Sequence, residues 1–346
     1  MTKTTFSLLK RRHLLTVAVI LVLLPPSVAV ASNASAPQLL VPRITQQPTS
    51  AVLPVGRVAT FTAHARSTTH ENVQWYVALA GASSFTPIKG ALRPTYRTRV
   101  VPRVLGASFL ARFTNHVGSA TTHRAVLTGA QATQNWAGYE LSGETFTAAS
   151  ATWVVPTANC AGTQTTYADQ WVGIDGVASP TIEQLGTQSN CNDGVATYDA
   201  WYELSGNATL DAGGEVPDSG TVAAGDTVHA AVAAVAGSWT LVLTDVTQGW
   251  TAPFTIDNPV PTPLQTSAEF IIEDPTLSLT NTRDPLTDFG AITMTNASVS
   301  STTSAGSLGS FPRSVITMTN GVNPLATTGA LSRGGHDFTV TWVAGS

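Results

Sequence analysis

Apolar and polar residues alternate with a period of two in short runs along most of the chain. ATFTAHA (59–65) and VQWYV (73–77) come first, then FLARFTNHVGSATT (109–122) with a turn signal at Val117-Gly118. Further on lie FTAASATWVVP (146–156), DQWVGIDG (169–176), TYDAWYEL (197–204), TVHAAVAAV (227–235), SWTLVLTDV (238–246) and HDFTVTWVAG (336–345). Successive strand residues point to opposite sides, so each run offers one face to a core. Long stretches of helical periodicity are absent. The pattern predicts an all-β protein, and the regular spacing of strands over 135–346 favours two packed antiparallel sheets over a small barrel.

One run breaks the pattern. LLTVAVILVLL (14–24) is continuously apolar, follows the basic KRRH (10–13), and precedes Pro25-Pro26 and the small triplet Ala29-Val30-Ala31. That order reads as a signal peptide over 1–31 and implies a secreted, extracellular protein. The run is short for a membrane span of about 20 residues, so the mature chain is expected to have none. The alternative is a single membrane anchor.

Charge divides the rest of the chain. From 37 to 130 there are ten arginines and lysines against one acid, Glu71. From 131 onward Arg283, Arg313 and Arg333 face the remaining twenty acids. Two domains of opposite charge are implied, with TGAQATQ (128–134) as a small polar connector. Residues 129–134 are therefore read as a linker and a plausible cleavage region, between a domain at 42–128 and a larger one at 135–346. The basic domain carries no recognisable nucleic-acid module, so nucleic acid is not an expected partner. Its attraction to the acidic domain raises a different expectation, intramolecular inhibition that acid releases. A permanent accessory module is the alternative.

Residues 42–128 resemble an immunoglobulin-like domain. Trp75 stands where that family buries its central tryptophan, Ala63 and Ala111 where disulfide-bonded members carry cysteines, and Phe109 at the corner-tyrosine position. Nothing in this part carries chemistry.

The larger domain leaves few mechanisms open. Its only histidines, His229 and His336, lie in no nucleophile motif, and no G-x-S-x-G elbow occurs. Cys160 and Cys191 are the only cysteines. In an exported protein they are expected to bridge, and without nearby histidines they make a poor zinc site, so no metal or other cofactor is expected. Carboxylate chemistry remains. In TSAEFIIEDP (266–275), Glu269, Ile271 and Glu273 share one strand face, while Asp274-Pro275 reads as the strand's end.

NWAGY (135–139), WVVP (153–156), WVGIDG (171–176), IEQLG (182–186), YDAWYEL (198–204) and AEFIIED (268–274) follow one another in that order. Together they resemble the glutamic peptidases (eqolisins, peptidase family G1) over about 134–346. The resemblance implies a concanavalin-A-like sandwich and an acid endopeptidase acting on protein or peptide substrates. Matched by motif, its catalytic pair is Gln184 and Glu273. The chemistry is coherent: an ionised glutamate activates water, and a neutral amide orients it and steadies the tetrahedral oxygen without titrating. The same resemblance places Trp136 and Trp171 at the substrate cleft and Asp175 near the pair. Asp199, Trp201 and Glu203 alternate along their strand and would line one face; Glu203 could equally point outward, and Glu269 could line the cleft or make a structural hydrogen bond. The motif departs from the family's usual form at Glu183, Leu185 and Gln188, where an acid is common at the last.

The rival reading is a carbohydrate-active or carbohydrate-binding protein on the same sandwich. A retaining carboxylate pair sits about 5–5.5 Å apart, whereas Glu269 and Glu273 are separated by roughly 13 Å along a strand. Asn207 and Asn296 begin N-x-S/T sequons, a weak signal alone.

Overall fold

The computed structural model describes residues 39–162, 164–205, 212–215, 221–259, 261–275 and 285–345. The expected signal peptide and Asn207 lie outside these residues. Leu39–Ser346 form one compact unit, in which strands dominate and helix is confined to single 3-10 turns among the described residues. No helix among them is long and apolar enough to cross a membrane.

Sixteen described strands run from Ala125 to Trp342, and thirteen of them make up the two sheets around the candidate pair. They are β1 (Ala125–Thr133), β2 (Trp136–Ser142), β3 (Phe146–Val154), β4 (Asp169–Ile174), β5 (Ile182–Asn192), β6 (Val195–Ser205), β7 (Ala212–Glu215), β8 (Thr227–Val235), β9 (Ser238–Asp245), β10 (Trp250–Asp257), β11 (Ser267–Glu273), β12 (Ala291–Ser301) and β13 (Arg313–Thr319). One sheet runs β7-β6-β5-β4-β11-β2-β13-β1, antiparallel except for the last pair. The other runs β10-β9-β8-β3-β12. Between them lies a continuous core that includes Phe146, Trp153, Val172, Leu241, Phe270 and Ile272. This is the double-sheet sandwich that the alternation implies.

The period of two explains β11 residue by residue. Ala268, Phe270 and Ile272 enter the core, so Glu269, Ile271 and Glu273 face the other side of the sheet. An acid-bearing strand with both faces largely covered is buried except at Glu273.

Residues 39–124 and the start of β1 enclose a second core around Phe61, Trp75, Phe109 and Phe113. Trp75 is fully buried and donates its indole N–H to the Arg93 carbonyl at 2.9 Å. Ala63 and Ala111 are fully buried as well.

The polar segment expected as a linker is mostly strand. Leu127–Gly129 of β1 pair in parallel with Ala51–Leu53, and Gly129–Thr133 then pair in parallel with Ser314–Met318 of β13. One strand therefore runs from the second core to the edge of the larger sheet. Gly129 lies so close to β13 that an added Cβ would sit 2.4 Å from Ser314 Oγ. Gly, Ala, Gln and Thr give this segment no apolar alternation, and its partner lies far away in sequence, so its strand character was not legible. Among the described residues the one ion pair is Arg333–Asp337, at 3.1 Å, within the larger part.

Cys160 and Cys191 form the expected disulfide, with Cα atoms 5.3 Å apart. Closing a loop of this length stabilises the fold by about 3–4 kcal/mol in the chain-entropy model.

Candidate active site

Directly opposed residues of neighbouring strands lie on the same side of a sheet, so the registers define the face away from the core. Three rows cross it. Glu203 of β6, Gln184 of β5, Gly173 of β4, Glu269 of β11 and Glu140 of β2 form the first. Trp201, Gly186, Trp171, Ile271 and Gly138 form the second, on the same strands in the same order. Asp199, Gln188, Asp169, Glu273 and Trp136 form the third. Gln184 and Glu273 thus share one face, with the tryptophan row between their rows.

Glycines let the side chains crowd together. A Cβ on Gly173 would meet Gln184 Cβ at 2.9 Å and Trp171 Cζ3 at 3.0 Å. One on Gly186 would meet the Gln170 carbonyl at 2.0 Å and Trp171 Cβ at 2.8 Å. Trp171, Ile271 and Ile316 form a small apolar cluster on this face, flanked by Trp136 and Trp201. Trp136 and Trp171 meet edge to face at 5.2 Å.

Glu273 is held at both oxygens. Asn135 Nδ2 donates to Oε1 at 3.0 Å and Trp171 Nε1 donates to Oε2 at 2.8 Å. The indole N–H of Trp136 lies beside the same carboxyl but outside hydrogen-bonding geometry. Burial pushes Glu273 up to about 7; the surrounding N–H groups oppose the rise and nearby Glu203 adds to it. Gln184 is buried and donates Nε2–H to Glu203 Oε2 at 2.6 Å. Glu203 therefore touches Gln184 and also acts electrostatically on Glu273.

The other expected residues separate by role. Trp136, Trp171 and Trp201 border the same apolar cluster, and Asp199 is exposed at the end of its row. Asp175 stands at the far end of β4 from Glu273, in a left-handed conformation with φ 68°. It accepts hydrogen bonds from the Gln265 and Thr266 backbone N–H groups at 2.6 and 2.8 Å, and from the hydroxyls of Thr266 and Thr181. That is a carboxylate tying a loop to a strand end. Glu269 is fully buried and accepts from the Gly176 N–H at 3.2 Å. Burial pushes it up to about 8, with Glu140 and Asp175 adding to the rise against hydrogen bonds from Ser267 and Gly176. Glu183, on the core side of β5, is pushed up to about 9, by burial first and then by Asp175.

Two neighbours of Glu273 were not singled out in the sequence. Asn135 is the first residue of NWAGY, immediately before Trp136. Asp169 precedes WVGIDG and shares its parity with Trp171, which could have flagged it. The histidines lie elsewhere: His229 Nδ1 is 3.0 Å from Thr152 Oγ1, and His336 Nδ1 is 3.0 Å from the Ala297 carbonyl.

Residues 134–342 match the model of the Peptidase A4 family. Aspergillopepsin-2 of Aspergillus niger is 27% identical over 195 residues, covering 50% of this chain and 67% of that protein. The crystal structure of scytalido-glutamic peptidase with a transition-state analogue inhibitor superposes with TM-score 0.52 and 28% identity, covering 61% of this chain and 98% of that one. The same peptidase with a peptide-based transition-state analogue gives TM-score 0.51 at 28% identity, with the same coverage. Over this shared sandwich, the chain is a peptide hydrolase and belongs to the Peptidase A4 family, the glutamic peptidases or eqolisins.

Proposed function

We propose that the protein is an exported endopeptidase of proteins and peptides that uses Gln184 and Glu273 as its catalytic pair. The observation that supports it most is the treatment of Glu273: it sits on a face lined by tryptophans, and both its oxygens accept N–H groups that favour the anion. Ionised Glu273 takes a proton from water as the oxygen attacks the peptide carbonyl, then passes that proton to the leaving nitrogen. An amide has two N–H groups. One of Gln184's is committed to Glu203, leaving the second for the tetrahedral oxygen and the carbonyl for the attacking water.

The raised basicity of Glu273 has consequences in both directions. A carboxylate of about 7 is a stronger base than an ordinary one, but on the order of 1% of it is ionised two pH units lower. The same value favours a second reading for strongly acid medium, in which Glu273 enters protonated and donates first to the leaving nitrogen. Hydrolysis of a denatured protein followed across pH separates the two. As a base, Glu273 gives a kcat/KM that rises through about 7; as an acid, it gives one that falls there.

The N-terminal part is proposed to be an immunoglobulin-like module that stays attached through β1. Its basic charge supports the contrary proposal, inhibition released by acid. Equal activity at neutral pH, with and without residues 39–128, would reject inhibition.

A further inference from the structure

Asp169 stands directly opposite Glu273 across β4 and β11, and directly opposite Gln188 across β4 and β5. Opposed side chains on one sheet face have Cβ atoms about 4.5–5.5 Å apart, so two carboxyls share this corner of the cleft. They are not equivalent. Glu273 has a donor on each oxygen. Asp169 is only 8% exposed, and its Oδ1 has no hydrogen-bond partner. Its other contact is a hydrogen bond with the Gln188 side chain.

Like charges this close resist ionising together. The first proton to leave comes from the group whose anion is better solvated by donors, which is Glu273. The remaining proton stays where an oxygen lies buried and unpaired, on Asp169. Every titratable group facing Asp169 adds to this effect: Glu273 and Asp274 at the end of β11, and Glu203 on β6. Asp199, across Gln188, is a further acid.

We propose that Asp169 is a positioning residue for Glu273, holding the one proton that the two carboxyls retain in the working enzyme. It rests on Glu273 acting as base. Asp169 keeps its proton through the cycle: water's proton goes to Glu273 and from there to the leaving nitrogen. Loss of the Asp169 proton puts two anions side by side and ends activity on the alkaline side. Burial and the Glu273 charge raise Asp169 well above the usual aspartate range, in the same sense as the order set by the donors on Glu273 and the unpartnered Asp169 oxygen.

The test is the pH profile of kcat/KM for the full chain, wild type against Asp169→Asn and Gln188→Leu, with circular dichroism at each pH. The amide that Asp169→Asn introduces is a neutral mimic of the protonated carboxyl. The rising limb should therefore stay within about 0.3 pH unit of wild type, while the falling limb moves up by about one unit or more. Gln188→Leu removes a hydrogen bond that favours ionised Asp169, and should also move the falling limb up. It carries the test if Asp169→Asn does not fold. Profiles that superimpose on wild type in both variants would reduce Asp169 to packing and overturn the proposal. A rising limb displaced downward in Asp169→Asn would show that Asp169 ionises first, which also overturns it. A wild-type profile with no rising limb near neutrality would instead remove the base reading of Glu273, a different failure, visible without either variant.

Discussion

The Gln184 amide donates to the Glu203 carboxylate at 2.6 Å, from an adjacent strand and in the same row of the sheet. A free amide can flip; one bonded to a carboxylate presents its NH2 group in a fixed direction. Glu203→Ala should therefore lower kcat by about 10–100-fold, less than the loss of an oxyanion donor itself, which costs about 10²–10³. Glu203→Gln should recover part of it. Steady-state kinetics check this, and a change in KM alone would place Glu203 in substrate binding instead.

Gly173 lies between Gln184 and Trp171 on this face of the sheet. Its replacement by Ala forces a Cβ to 2.9 Å from Gln184 Cβ and 3.0 Å from Trp171 Cζ3, and Trp171 carries the bond to Glu273. Gly173→Ala is expected to cost about 1–3 kcal/mol of stability and to lower kcat at temperatures where the variant stays folded. Thermal unfolding and kinetics on the same sample separate the two effects.

Stability should be greatest in acid. Glu269 and Glu183 have folded-state values of about 8 and about 9 against ordinary values of 4.5. Their neutral forms are favoured by the fold. Their contribution is fully present below about 4.5 and is lost as pH rises through the folded values. Between those limits each group removes up to about 1.4 kcal/mol per pH unit. Urea unfolding from pH 4 to 9 should show a steady decline, and Glu269→Gln should flatten it.

How much of this was readable beforehand differs from residue to residue. The face of β11 was legible because a period of two leaves no choice once Phe270 and Ile272 enter the core. The pairing of Cys160 with Cys191 needed only the expectation of export and the count of two cysteines. The orientation of Glu203 toward Gln184 was not legible, since register between β5 and β6 depends on backbone pairing that composition does not encode. Asp175 follows the same parity as Trp171 and Gly173, yet its carboxylate is consumed by backbone N–H groups of residues 265 and 266. Parity gave its side of the sheet and not its distance along the strand. Asn135 and Asp169 owe their position beside Glu273 to cross-strand register, a relation between segments far apart in sequence.

The strand that runs from the second core into the larger sheet leads to a further prediction. Removing residues 39–133 strips β1 from β13 over Gly129–Thr133 and breaks the bond from Gln131 Nε2 to Glu140 Oε2. An uncovered sheet edge is a template for association. The truncated protein should melt about 5 °C lower or more and form oligomers in size-exclusion chromatography. A monomer of unchanged melting temperature would mean that β1 is dispensable to the peptidase sheet.

The decisive measurement of Glu273 as base is hydrolysis of a denatured protein by Glu273→Gln, which keeps shape and hydrogen-bonding capacity but cannot take a proton. With circular dichroism matching wild type, kcat/KM is expected to be lower by on the order of 10²–10⁴ from about 7 upward, where wild-type Glu273 is ionised, and the gap should narrow in acid. A folded Glu273→Gln protein that cleaves at the wild-type rate at neutral pH would exclude Glu273 as the base.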